Sequence, residues 1–161
     1  MSRRTNSFVV SLVGLSVIAL LSSVVVGADM FSGTWKLNVA KSKYSPGPEP
    51  ASGTTILSAV DGGLKFIVDG ANADGKKTHS EYTFKFDGKD VKPVGTNPNA
   101  DLQAYTRVDD RHWTVVSKLK GKVTLTSKIE VAADGKSRTT TQTGTDAQGK
   151  SVNNYIWYDK Q

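Results

Sequence analysis

Two histidines, His79 and His112, and no cysteine are all that the 161-residue chain offers for metal or thiol chemistry. His79 and Glu81 stand two apart, so on a strand they share one face and present a nitrogen and an oxygen to a single cation. A third ligand is wanting, because neither alternation nor spacing brings His112 near them. The segment Gly70 to Glu81 (GANADGKKTHSE) sets Asn72, Asp74, Gly75 and Glu81 at calcium-loop positions 3, 5, 6 and 12. Position 1 is Gly70 where aspartate is needed, and the flanks read as strands instead of helices, so a hairpin turn explains the segment better. Haem inside the fold would need an inward histidine, and His79 lies on the face opposite the aromatic residues. No serine or threonine stands out as a nucleophile with its base and orienting acid. The row Thr139, Thr141, Thr143, Thr145 is one rank of a Thr-x-Thr surface, and threonine is a favoured strand residue. The expectation is a protein that is not an enzyme and uses no metal and no cofactor.

The chemistry that remains is apolar. In Lys77–Phe86 one face carries Thr78, Ser80, Tyr82, Phe84 and Phe86, and the other His79, Glu81, Thr83 and Lys85. Leu64, Phe66 and Val68 alternate in the same way. With Trp35 and Tyr158, these residues give six candidates to line a pocket for an apolar or amphipathic ligand: Trp35, Phe66, Tyr82, Phe84, Phe86 and Tyr158. Lys43, Lys65 and other rim residues would orient such a ligand. The alternative is that the same aromatics fill a solid interior, leaving a structural or interaction protein of the cell envelope that works through surface loops, chiefly Tyr44 to Gly53.

Ten short strands must position these side chains: Phe31–Asn38, Thr54–Val60, Leu64–Asp69, Lys77–Phe86, Lys89–Val94, Asp101–Val108, His112–Lys120, Lys122–Val131, Lys136–Gly144 and Lys150–Asp159. Each is rich in β-branched and aromatic residues and ends in a turn signal. Asp-Gly pairs at Asp61, Asp74, Asp87 and Asp134 tolerate the positive φ of tight hairpins, which make sequence neighbours antiparallel spatial neighbours. The topology is therefore all-β, a ten-stranded antiparallel up-and-down barrel, since open edges invite aggregation and closure removes them. Residues 39–53 (VAKSKYSPGPEPASG) read as a solvated loop between strands one and two, because Pro46, Pro48 and Pro50 exclude regular structure.

Arg3 and Arg4, an apolar run from Val9 to Leu21 and a small-residue ending at Ala28 read as a signal-peptide helix over residues 1–28, cleaved after Ala28. An uncleaved anchor over Phe8 to Gly27 is the alternative, against which stand the four serines inside it and the lack of a charged stop-transfer flank. Cleavage leaves one domain, residues 29–161, and lowers the formal charge from +6 to +4. That charge is too thinly spread for a nucleic-acid footprint. The expected product is an exported, periplasmic or extracellular monomer with no stable membrane anchor and no disulfides, held by its hydrophobic core.

Phe31-Ser-Gly33-Thr34-Trp35-Lys36-Leu37 resembles the opening strand of the calycins, specifically the F-x-G-T-W-K-L start of fatty-acid-binding proteins. The chain end NNYIWYDKQ is similar to that family's last strand, with Tyr158 and Lys160 matching its terminal tyrosine and basic residue. The resemblance implies an exported bacterial lipocalin-like or fatty-acid-binding-protein-like barrel whose last strand closes on its first, with Trp35 as the floor. It departs in two places. The proline-rich connection cannot make the family's helix-turn-helix, and the arginine of its carboxylate clamp, two residues before the last-strand tyrosine, is here Ile156. The fatty-acid function therefore does not carry over.

Overall fold

The computed structural model describes residues 29–95, 97 and 99–161, so the expected export segment lies outside the described residues. Eleven strands follow in order: β1 (Gly33–Leu37), β2 (Ser52–Val60), β3 (Gly63–Ala71), β4 (Lys77–Lys85), β5 (Asp87–Val91), β6 (Val94–Gly95), β7 (Leu102–Arg107), β8 (His112–Leu119), β9 (Lys122–Val131), β10 (Ser137–Thr145) and β11 (Ser151–Lys160). All belong to one antiparallel sheet, ordered β5-β7-β8-β9-β10-β11-β1-β2-β3-β4-β6. The last strand pairs with the first, Leu37 opposite Tyr158 and Trp35 opposite Lys160. Short turns with a glycine at positive φ, such as Gly135 and Gly149, fix the registers that set Arg138 opposite Val131 on one side and Tyr158 on the other.

The count is eleven and not ten because the fifth expected strand, Lys89–Val94, is divided. Its first half, β5, pairs with β7, and its second half, β6, pairs with β4 at Ser80 and Glu81. Lys92 and Pro93 lie between the halves. Proline has no N–H to give to a ladder, so the run changes partner there. The two ends of the sheet are thus successive pieces of one chain segment. Curling brings β4 against β7, and side chains hold the seam where no ladder does: the rings of Phe84 and Tyr105 stack at 3.5 Å with 7° between their planes.

The expected loop over residues 39–53 is more ordered than the prolines suggest. A 3-10 turn at Val39–Lys41 is capped by the Asn38 side chain, which accepts from the Lys41 N–H. Lys43 then pairs with Tyr155, and the Ser45 carbonyl accepts from the Asn153 N–H. The reason is length: β1 has five residues and β11 ten, so the segment after β1 satisfies the part of the β11 edge that β1 cannot reach.

The floor follows from the opening strand. Phe31 and Trp35 are fully buried with Leu57, Leu64, Phe84, Trp113 and Val131 around them. The Trp35 indole N–H donates to the Phe31 carbonyl at 2.8 Å, so the plug buries no unmet donor of its own. Gly33 has φ +133°, and a Cβ there would sit 2.7 Å from Lys160 Cε. The glycine two residues before the tryptophan is therefore set by backbone conformation, since the flexible end of the lysine could move aside.

Gly33→Ala is expected to destabilise the protein by about 1–3 kcal/mol through backbone strain, read as a lower urea midpoint with an unchanged slope. Phe84→Ala removes the stacked ring that holds the seam and is expected to cost about 3–5 kcal/mol in the same experiment. A midpoint within error of the parent's in either variant would contradict the corresponding role.

Candidate functional site

Strand alternation turns every second side chain of the curled sheet inward, and the inward residues above the floor do not fill the space they enclose. They leave a cavity of about 230 Å³. Its wall is aromatic at Phe66, Tyr82, Tyr105, Trp113 and Tyr158, and polar at Ser80, Gln103, Ser127, Thr140 and Gln142, with Arg138 at its Tyr158 side. A wall of this mixed kind suits a ligand with both apolar and polar parts.

The six residues expected to line a pocket fall into two levels. Phe66, Tyr82 and Tyr158 face the cavity. Trp35 and Phe84 lie in the packed floor, and Phe86 is half-buried beside them, its ring 6.2 Å from Phe31 and 5.5 Å from Phe84. Alternation tells which way a side chain points, and it does not tell how far along the barrel it sits. Lys65 is on the outer surface, paired with Glu81 at 2.7 Å. His79 pairs instead with Asp69 at 2.7 Å, so the His79–Glu81 spacing is divided between two neighbours. His112 contacts Asp109 at 2.7 Å and Glu130 at 3.6 Å. Among the described residues, no group of three or more His, Asp or Glu side chains is placed to hold a metal.

Sequence reasoning missed Tyr105, Trp113, Gln103 and Gln142 of this wall, and above all Arg138. It is 2 % exposed, and its guanidinium lies 4.3 Å from the Tyr158 ring centroid, 5.5 Å from Trp35 and 6.0 Å from Phe66. Burial pulls its pKa down to about 10, with the Tyr158 hydroxyl acting in the opposite sense, so at neutral pH it remains a cation. Its Nε–H has no hydrogen-bond partner. The Trp113 indole N–H is likewise buried and unpartnered. Both belong to residues that line the cavity, whereas the other two buried polar atoms without a partner, the Thr55 hydroxyl and Asn72 Oδ1, belong to residues outside its wall. A signal for Arg138 was present: the Asp134-Gly135 turn puts position 138 opposite inward Val131, and the only charged residue within the threonine-rich stretch 138–145 falls on that face.

Above Arg138 the polar side chains pair among themselves. Gln142 donates to Ser127 Oγ at 3.2 Å and accepts from Asn154 Nδ2 at 3.0 Å. Gln103 donates to Ser117 Oγ at 3.1 Å and accepts from the Tyr105 hydroxyl at 3.0 Å. Burial raises the Tyr105 pKa, which keeps that hydroxyl a donor.

No protein-family model matches the chain, and no curated protein matches it. Among solved structures it is similar in fold to zebrafish ileal bile acid-binding protein complexed with cholic acid: TM-score 0.50, 12% identity, covering 82% of this chain and 99% of that one. At that identity the likeness shows the fold alone, an all-β barrel of the calycin kind.

Proposed function

We propose that the protein is an exported barrel that binds, non-covalently, a small amphipathic molecule with an anionic group, whose apolar part packs against Phe66, Tyr82 and Tyr105 and whose anion pairs with Arg138. The observation that carries this reading is Arg138 itself, a guanidinium only 2 % exposed that lies over aromatic rings on the lining of the cavity, with no carboxylate paired to it among the described residues. A buried guanidinium without a counter-charge is costly, and a carboxylate or sulfonate supplies what it lacks. The cavity's 230 Å³ lies below the usual range of ligand pockets, about 300–1,000 Å³, and so calls for a small ligand. The fold neighbour was solved with cholic acid, an amphipathic acid, which is consistent with this chemistry.

Burial of the Arg138 charge has a consequence for stability that can be measured. Because the folded pKa of Arg138 lies below its ordinary value, its charge opposes folding at neutral pH, and the opposition fades only as pH rises past about 10. Arg138→Met is therefore expected to stabilise the free protein by about 1–3 kcal/mol while abolishing calorimetric binding of octanoate. A variant that is less stable than the parent and binds octanoate unchanged would assign Arg138 a structural role and remove the proposal.

A further inference from the structure

We infer that the amides of Gln103 and Gln142 form a second, neutral subsite that selects ligands bearing a hydroxyl or carbonyl away from the acid group, and rejects plain alkyl chains. The inference rests on the anion at Arg138 proposed above. Each primary amide has two N–H donors and two carbonyl lone pairs. The hydrogen bonds within the wall use one of each on Gln103, through Ser117 and Tyr105, and one of each on Gln142, through Ser127 and Asn154. One donor and one lone pair remain on each side chain, and both side chains line the cavity.

Their neighbours fix the two amides without satisfying them. Ser117 and Ser127 are buried, so the hydroxyls that hold the amide nitrogens cannot turn out to solvent. Tyr105 is stacked on Phe84 and buried, which holds its hydroxyl against Gln103. The amides stand on β7 and β10, three strands apart around the sheet, and so approach the cavity from different walls. Gln142 is four residues along β10 from Arg138, a rise of about 13 Å. An acid anchored at Arg138 and extending up the cavity thus brings its tail, not its head, toward the two amides.

An alkyl chain in that position displaces water from the amides and gives nothing back. A hydroxyl, donor and acceptor at once, matches both leftover valences. Sites built to hydrogen-bond a substrate discriminate in this way because the unmatched ligand leaves buried polar groups unpaired.

The test is calorimetric titration of the purified protein with octanoate and with its monohydroxy isomers, the hydroxyl moved carbon by carbon. One or two isomers are expected to bind about ten-fold tighter than octanoate, with the others near it or weaker. In Gln103→Met and Gln142→Met, which keep length and remove the amide, the ratio of isomer to octanoate affinity is expected to shrink in each single variant and to vanish in the double variant. Thermal unfolding of each variant checks that it is folded, and the single variants carry the test if the double variant is not. Equal affinity for octanoate and every isomer, or a preference that survives both substitutions, would overturn this subsite and leave the anion at Arg138 standing. Binding of no acid at all by the parent protein would overturn both.

Discussion

A positive charge enclosed by aromatic rings, without a carboxylate to answer it, is the constraint around which the interior is organised. Arg138 contacts the faces of Tyr158, Trp35 and Phe66, and these π-faces supply part of the stabilisation that water would give. No carboxylate among the described residues pairs with the guanidinium, and burial holds its pKa down at about 10. Proteins rarely keep a buried charge in this condition where stability alone is at stake, since an apolar side chain of like size is commonly the more stable choice. Function is where such a cost is tolerated.

The surrounding barrel buries that charge by means that differ from place to place. At the floor, Phe31 and Trp35 are fully buried and the indole N–H is satisfied by backbone. Around most of the wall the hydrogen-bonded ladder is continuous, from β7 through β11 and β1 to β4. Across the seam the run 87–95 serves β7 with one half and β4 with the other. The stack of Phe84 on Tyr105, extended by Trp113 at 5.5 Å from Phe84, joins the two sides where backbone does not. Floor and seam share the Phe84 ring, so the part of the wall that lacks a ladder is tied to the part that is most densely packed.

Much of this was legible in the chain. Period-two alternation placed Phe66, Tyr82 and Phe84 on one face and His79 and Glu81 on the other, and the Asp-Gly turns set the hairpin order. The opening FSGTWKL and the closing NNYIWYDKQ pointed to first and last strands that meet, as β1 and β11 do. What was not legible was height along the barrel and the role of one proline. Alternation cannot separate Phe84 in the floor from Tyr82 in the wall, since both face inward. The arginine is hard to see in the sequence because the resemblance places it at position 156, which is isoleucine, and because the strand that carries position 138 reads as a run of threonines. Tyr158 does have an arginine beside it, supplied across the ladder instead of along its own strand. The same contact can be built from two different places in a sequence, and only the register distinguishes them.

The measurement that bears most directly on this account is a crystal structure of the protein with a brominated aromatic carboxylate, its bromine located by anomalous scattering. The account predicts one bromine site inside the barrel and a carboxylate oxygen within about 2.7–3.2 Å of the Arg138 guanidinium. An interior filled by side chains, or Arg138 paired with a carboxylate of the protein itself, would contradict it.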